Sequence, residues 1–348
     1  MMQEHITVVP KFSARSAALA LCVAACMSGV NVTADASPTF TTFDPPGSTQ
    51  TVAFGINRAG EIVGIYEDTK YLFHGFVRAA DGTFTTFDPP GARQTYPDCI
   101  NDKGEIAGSY EDNSNMYHDF LRAADGTFTT LDPVGINSME PAVSIDHSGD
   151  VAGAFLDSDD IKFDGFVRNN EGKITRFRYP KSTWTLPLGI NDKFEIAGEY
   201  TDGLNGAYHG FVRAANGTFR SFDPPGAVDT EVSGINNRGA IVGSYSNSDG
   251  ILKGYLRAAN GSMTKFYAPG ATNITNPESI NSNNEITGYY WTGQATHSFV
   301  RTADGKITTF VAPLGPNHTT AYSINASGEI AGYYQDVGGI VHGFVRSP

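Results

Sequence analysis

Cysteine is scarce in this chain, with three residues among 348, and methionine is sparse at six. Two of the cysteines fall within the first 36 residues, so removal of that segment would leave Cys99 alone. We therefore expect no internal disulfide in an exported form of the protein. Stability then has to come from core burial, which a domain of about 300 residues can supply.

Positive charge is also in short supply. The chain has 24 Lys and Arg against 37 Asp and Glu, a formal net charge of −13. Binding to nucleic acid needs clustered Lys and Arg to meet the phosphates, so we expect no nucleic-acid partner. The same deficit argues against binding to an anionic membrane surface.

Long apolar runs are missing as well. The run from Ser16 to Met27 is too short for a transmembrane helix, so we expect no membrane span. Lys11 and Arg15 precede this run, and Ala34-Asp35-Ala36 follows it as a small-x-small cleavage site. Residues 1–36 are therefore predicted to be a secretory signal peptide.

Val23-Ala24-Ala25-Cys26 also resembles a bacterial lipoprotein box, which leaves lipid anchoring at Cys26 as an alternative to simple cleavage. In either case the sequence predicts a secreted, extracellular or periplasmic protein. We expect it to be a monomer.

Self-similarity dominates the rest of the chain. The stretch from Phe40 to Gly47 returns at Phe84 and Phe219, and looser copies begin at Phe128, Ile174, Met263 and Ile307. These starts lie 44 to 46 residues apart. Each repeat holds four short segments rich in β-branched and aromatic residues and bounded by turn residues. In the first repeat they are Thr51–Ile56, Glu61–Tyr66, Phe73–Arg78 and Thr83–Phe87.

Four strands in each repeat of about 45 residues predict an all-β fold, a seven-bladed β-propeller over residues 37–348. The last repeat lacks its fourth strand, and Phe40–Phe43 precedes the first repeat as an unpaired one. We expect Phe40–Phe43 to pair beside Val341–Arg346 and close the ring. The Gly-Ile-Asn strand is expected to be innermost, because one of its positions is always small. That position holds Gly55, Cys99, Ser144, Gly189, Gly234, Ser279 and Ser323.

Acidic and basic residues recur at two positions that antiparallel pairing would bring together. An acid begins the second strand in six repeats, and an arginine ends the third strand in all seven. We predict cross-strand ion pairs that set the register. The pairs are Glu61–Arg78, Glu105–Arg122, Glu195–Arg213 and Glu329–Arg346.

The run Gly-Ile-Asn-x-x-Gly-Glu-Ile-x-Gly, followed by His-Gly-Phe-Val, resembles the bacterial extracellular HAF-repeat proteins. The matching triplets include His74-Gly75-Phe76, His209-Gly210-Phe211 and His342-Gly343-Phe344, and the resemblance covers about residues 40–346. The Asp-Pro-Pro-Gly stretch departs from the family pattern. The resemblance implies an exported propeller-like domain and transfers no catalytic residue.

A site is expected where the repeats differ, on the face formed by the loops after Asp-Pro-Pro-Gly and those between the second and third strands. Aromatic and acidic side chains there suit a sugar, by stacking and by accepting hydrogen bonds. The candidate ligand-binding residues are Trp184, Trp291, Tyr71, Tyr96, Asp68, Asp112, Asp157, Asp202 and Asp336.

Two loops of that face, beginning at Asp112 and at Asp157, are acidic enough to raise calcium as an alternative, but they lack EF-hand spacing. We otherwise expect no metal and no cofactor. No nucleophile or metalloprotease motif is present in the sequence. We therefore expect a non-catalytic binding module for an extracellular glycan or protein. The alternative is a propeller enzyme, a glycoside hydrolase or lyase, that uses carboxylates of the variable face.

Overall fold

The computed structural model describes residues 38–131, 144–157, 162–201, 203 and 206–348. Within these ranges the chain forms strands and turns and no helix. The described residues therefore include no helix that could cross a membrane. The strands fall into seven groups that follow the seven sequence repeats. The predicted signal peptide, residues 1–36, and the alternative of lipidation at Cys26 lie outside the described residues.

Group one contains β2 (Gln50–Ile56), β3 (Ile62–Glu67), β4 (Phe73–Arg78) and β5 (Phe84–Phe87), and group two contains β6 (Ala92–Ile100), β7 (Ile106–Asp112), β8 (Tyr117–Arg122) and β9 (Phe128–Thr130). Group three contains β10 (Ser144–Ile145), β11 (Val151–Asp157), β12 (Lys162–Arg168) and β13 (Ile174–Phe177), and group four contains β14 (Trp184–Ile190), β15 (Ile196–Thr201), β16 (Tyr208–Arg213) and β17 (Phe219–Phe222). Group five contains β18 (Asp229–Thr230), β19 (Gly234–Ile235), β20 (Ile241–Ser246), β21 (Leu252–Arg257) and β22 (Met263–Phe266). Group six contains β23 (Ile274–Ile280), β24 (Ile286–Trp291), β25 (Thr296–Arg301) and β26 (Ile307–Phe310), and group seven contains β27 (His318–Ile324), β28 (Ile330–Gln335), β29 (Val341–Ser347) and the N-terminal β1 (Thr39–Phe43).

Each group is an antiparallel meander whose first strand ends at a polar turn. In group one the Asn57 side chain accepts hydrogen bonds from the main-chain N–H groups of Ala59 and Glu61, both at 3.0 Å. Gly60 completes the turn at φ +80°, a conformation that costs glycine little. The chain therefore reverses at the same place in every repeat that keeps this turn.

The core lies between groups and is built on a glycine of each second strand. A Cβ on Gly64 would lie 2.0 Å from the Val52 carbonyl oxygen and 2.9 Å from the Phe76 ring. Phe76 is fully buried there. The Phe76 ring therefore packs where a side chain on residue 64 would otherwise lie.

The N-terminal strand β1 completes group seven. It pairs antiparallel with β29, from Thr39 opposite Ser347 to Phe43 opposite Gly343. Small residues of the first strands also link neighbouring groups. For example, the Ile56 N–H of group one donates a hydrogen bond to Ser323 Oγ of group seven at 3.3 Å. The turn asparagines do the same through Nδ2, which donates to the main-chain carbonyl of the next turn. These bonds are Asn57 to Asn101, Asn101 to Asp146, Asn191 to Asn236, Asn236 to Asn281, Asn281 to Asn325 and Asn325 to Asn57.

The predicted acid–arginine pairs are not formed. The acids instead accept a hydrogen bond from the turn asparagine at 2.7–2.8 Å, as Glu61, Glu105, Glu195 and Glu329 do. The arginines lie over a phenylalanine ring of the preceding group at 4.7–5.0 Å, as Arg78, Arg122, Arg213 and Arg346 do. The planar, weakly hydrated guanidinium suits an aromatic face, and the asparagine already satisfies the acid.

Candidate active site

Glu231 of group five lies near Glu199 of group four and near Glu278 of group six, and we call these three glutamates the carboxyl cluster. Glu199 Oε2 accepts a hydrogen bond from the N–H of Val232, the neighbour of Glu231, at 3.1 Å. Glu231 Oε2 accepts one from Ser244 Oγ at 2.6 Å. The first bond links group five to the second strand of group four, and the second lies within group five.

The strand pattern explains how these side chains are presented. Glu278 lies in a β-bulge of β23, between Pro277 and Ser279, where the register with β24 shifts. Glu231 lies in the gap between β18 and β19, where the first strand of group five is interrupted. Bulges re-aim a side chain that a regular strand would direct elsewhere, and they are frequent beside active sites.

The cluster is a departure from the repeat. The bulge position of Glu278 holds Phe54, Asp98, Leu188 and Tyr322 in other groups. The position of Glu199, opposite Leu186, holds Ile65, Ser109, Tyr289 and Tyr333 elsewhere. Since the scaffold forms with residues as different as Phe54, Asp98 and Ile65 at these positions, the fold does not require a glutamate there.

The three carboxyl groups have different surroundings. Glu231 is exposed, whereas Glu199 and Glu278 are half-buried within the protein. Burial, with the nearby Glu231 carboxylate, raises the pKa of Glu278 to about 8. Burial also raises the pKa of Glu199 to about 7. A proton donor therefore lies beside a solvent-accessible carboxylate near neutral pH, an arrangement suited to acid–base chemistry.

Tyrosines adjoin the cluster on the side of groups six and seven. Asn276 Nδ2 donates to Glu278 Oε1 at 2.8 Å and approaches the Tyr289 hydroxyl at 3.3 Å. The Tyr322 ring lies 5.7 Å from that of Tyr333 and 5.5 Å from that of Phe54 in group one. Burial raises the pKa of Tyr289 to about 12, so its phenol remains a hydrogen-bond donor at neutral pH.

The aspartates predicted from the sequence are held by their own loops. Asp68 Oδ1 accepts N–H bonds from Lys70 and Leu72, and its Oδ2 lies 3.6 Å from His74 Nε2. The other nitrogen, His74 Nδ1, lies 2.8 Å from Asp88 Oδ2. Backbone hydrogen bonds, mainly from Leu72, lower the pKa of Asp68.

The same arrangement recurs in other groups. Asp112 accepts from Ser114 and Met116 at 2.7 and 2.9 Å and faces His118 at 3.4 Å. Asp336 lies 3.5 Å from His342, which is 2.7 Å from Asp44. These aspartates shape the loops and orient the histidines.

Of the two remaining predicted aspartates, Asp202 lies outside the described residues, and Asp157 is described only in its main chain as the end of β11. Within the described ranges no three His, Cys, Asp or Glu side chains come together as a metal site. The loop at Asp112, one of the two raised for calcium, closes on its own main chain.

The predicted aromatics are spread over different groups. The Trp184 ring lies 4.1 Å from that of Phe163, and Trp291 ends β24. Tyr71 is 76% exposed at a turn with φ 63°. Tyr96 is half-buried between Phe73 and Tyr117, at ring distances of 5.9 and 6.4 Å. No one of these four belongs to the carboxyl cluster as defined.

Sequence reasoning missed the carboxyl cluster, although a signal for it was present. Aligning the repeats places Glu231 and Glu278 at first-strand positions where no other copy carries a glutamate. The sequence pattern predicts a site in the variable loops because functional residues often lie in loops, whereas these glutamates lie within or between strands.

The repeated four-stranded groups and this cluster define an all-β, propeller-type protein. Neither a protein-family model nor a curated protein matches the sequence. The structure is similar to virginiamycin B lyase from Staphylococcus aureus, with 13% identity and a TM-score of 0.60 over 89% of this chain and 99% of that chain. It is similar to the β-propeller domain of the Trilobed protease from Pyrococcus furiosus, at 9% identity and TM-score 0.61 over 85% and 95% of the two chains. A prolyl endopeptidase matches at 12% identity and TM-score 0.61 over 86% of this chain and 50% of that chain.

These comparisons confirm the propeller fold. They also correct the expectation of a non-catalytic binding module, because the structures that share the fold include a lyase and a prolyl endopeptidase. At identities of 13% or less, these likenesses show the fold and not the activity of this chain. The resemblance to HAF-repeat proteins stays a prediction, since no family model matches.

Proposed function

We propose that the chain is a closed seven-bladed propeller and that the carboxyl cluster is the active site of an enzyme cleaving C–O bonds in an extracellular polysaccharide. Export through residues 1–36 is part of the same proposal. The observation that carries it is the meeting of Glu199, Glu231 and Glu278 from three successive groups, at positions that the scaffold does not require to be acidic.

Contacts between the first and last groups support the ring. β1 completes the sheet of group seven by pairing with β29. β2 packs against β6 on one side and against β27 and β28 on the other. The turns of all seven groups line one cavity. Seven groups that each contact two neighbours in this way correspond to seven blades.

The roles follow from the surroundings of each group. Glu278, protonated near neutral pH, donates a proton to the leaving oxygen. Glu231, exposed and held by Ser244, acts as the base. In hydrolysis it activates water, and in elimination it removes a proton from carbon. Tyr289 and Tyr322 donate hydrogen bonds to oxygens of the bound substrate.

A carbohydrate is the proposed substrate because flat rings adjoin the carboxyl groups. Phe54 and Tyr322 form an aromatic pair at 5.5 Å on the side of the cluster next to group one. Aromatic faces pack on the apolar face of a sugar ring while carboxylates accept from its hydroxyls.

The test is product formation from a pool of defined polysaccharides by the full chain, followed by mass spectrometry. Products whose summed mass exceeds that of the parent by one water per cut identify hydrolysis, whereas products whose summed mass equals that of the parent identify elimination. Glu278→Gln and Glu231→Gln should each abolish turnover, and Glu171→Gln, an exposed turn glutamate, should retain it. Turnover that survives both cluster substitutions would show that the reaction lies elsewhere, and no turnover on any glycan would overturn the substrate class.

A further inference from the structure

A cavity of about 370 Å³ lies where the first strands end, at the Asn-x-x-Gly turns. Its lining includes residues from the turns of all seven groups. Glu231 and Glu278 lie earlier along the first strands and Glu199 lies in a second strand, and none of these three glutamates lines the cavity. We call it the turn cavity.

The frame of the turn cavity is made of repeated residues. The asparagine present in six of the seven turns, such as Asn57, is almost fully buried and bound to the next turn by its amide. Three isoleucines, Ile56, Ile100 and Ile324, line the cavity as an apolar wall. These features are explained by the repeat and need no ligand.

The residue after each asparagine also lines the cavity, and there the repeat breaks down. This position holds Arg58, Asp102, His147, Asp192, Asn237, Ser282 and Ala326. Groups one to four supply charged or titratable side chains, and groups five to seven supply small or neutral ones. The similar turns therefore present an uneven set of side chains to the turn cavity, with the charged and titratable ones all in groups one to four.

The two aspartates of this rim are fixed mainly by main-chain groups. Asp102 Oδ1 accepts a hydrogen bond from the main-chain N–H of Arg58 at 2.8 Å, and Asp192 Oδ1 accepts one from the main-chain N–H of His147 at 3.1 Å. Asn237 Nδ2 donates to Asp192 Oδ2 at 2.6 Å. A polar rim that is fixed before a ligand arrives binds with less loss of side-chain entropy.

The charges decide which ligand the rim suits. The carboxylates of Asp102 and Asp192 would repel an anionic ligand, and the guanidinium of Arg58 would repel a cationic one. His147 Nδ1 lies 3.8 Å from Asp102 Oδ2, which orients the ring. Paired acceptors and donors around an apolar wall match a molecule with many hydroxyl groups and one apolar face.

We propose that the turn cavity binds a neutral cyclic polyol of monosaccharide size. The isoleucine wall packs against the C–H face of the ring. Asp102 and Asp192 accept from its hydroxyls, and His147 and Arg58 donate to its oxygens. This site is separate from the proposed active site, and its occupant is bound without being cleaved.

The test uses the full chain with glucose, galactose, mannose and myo-inositol as neutral probes, and with glucuronate and glucosamine as charged ones. Saturation-transfer NMR detects contact, and calorimetry gives the Kd. We expect a neutral probe to bind and His147→Ala and Asp192→Asn to weaken it by about tenfold or more. Lys193→Ala, at the next position of the same turn, is the matched control and should leave the Kd unchanged.

Glu278→Gln separates the two sites. Retained binding in Glu278→Gln, together with loss in His147→Ala, supports the turn cavity. Binding that is lost in Glu278→Gln but kept in His147→Ala would assign the ligand to the carboxyl cluster and overturn the proposal. Binding of a charged probe alone, or of none of the six, would overturn it too. Thermal unfolding of each variant shows whether a loss of binding reflects a loss of fold.

Discussion

Asn325, in the last group, donates its side-chain amide to the main-chain carbonyl of Asn57, in the first, at 3.0 Å across 268 residues of sequence. The same amide donates to Glu329 at 2.8 Å. One asparagine thus holds its own turn and joins the two ends of the repeat array.

Asn325→Ala should lower the free energy of unfolding by about 1–3 kcal/mol, because it leaves a buried carbonyl without its donor. Urea unfolding followed by tryptophan fluorescence measures this. The control is Asn113→Ala, an exposed loop asparagine, which should change the value by less than about 0.5 kcal/mol. Equal effects of the two substitutions would contradict a specific role for Asn325.

Asp146 takes the place of the turn asparagine in group three and has no amide to donate. Burial raises its pKa to about 6, and the carboxylates of Asp150 and Asp192 act in the same direction. Because the folded-state pKa lies above the unfolded one, its stabilising contribution is complete below about pH 4 and lost as pH rises through about 6.

Asp146→Asn should therefore remove this pH dependence and raise stability at pH 7 by about 1–2 kcal/mol. The substitution also supplies the donor that the other turns have. Unfolding free energies at several pH values between about 4 and 7 measure the slope. A slope identical to that of the parent protein would show that Asp146 is not its source.

Glu278→Gln should stabilise the protein at pH 7 and above while abolishing the proposed activity. With a folded-state pKa of about 8, Glu278 favours folding most when protonated, and this contribution falls as pH rises from about 4.5 to about 8. The gain at pH 7 is expected to be on the order of 2 kcal/mol. A drop in melting temperature at pH 8 would instead show that the carboxylate form is needed by the fold.

Gly243 and Gly234 lie in the same group and should respond differently to alanine. A Cβ on Gly243 would lie 2.1 Å from the Glu231 carbonyl oxygen, whereas one on Gly234 meets nothing within 4 Å. Gly243→Ala should cost about 2–4 kcal/mol, and Gly234→Ala less than about 1 kcal/mol. Chemical denaturation compares them, and similar losses would contradict the close packing at Gly243.

Arg78 should contribute more to the free energy of unfolding than Glu61, the acid that the sequence pattern pairs with it. Arg78→Ala removes a guanidinium that lies 5.0 Å from the Phe43 ring centre, and should cost about 1–2 kcal/mol. Glu61→Gln keeps an oxygen for the Asn57 amide and should cost less than about 0.5 kcal/mol. A strong dependence of the Arg78→Ala effect on Glu61, in a double-mutant cycle, would restore the ion-pair interpretation.

The repeat pattern alone determined the class of fold. Asn57, Gly60 and Gly64 recur with their neighbours because a turn, a positive φ and a close approach each need that residue, and such local requirements are readable from one sequence. The positions of the strands followed from them. The pairing expected between Phe40–Phe43 and Val341–Arg346 is present as β1 with β29.

What only the tertiary structure decided is which side chains meet across groups. The acids and arginines were paired by register, but the fold gives Arg78 a ring from the preceding group and gives Glu61 an asparagine four residues earlier. Likewise Glu199 and Glu278 lie 79 positions apart in the sequence, and only the packing of successive groups brings both to Glu231. Strand periodicity is a local property, whereas a site between groups depends on contacts that no single repeat contains.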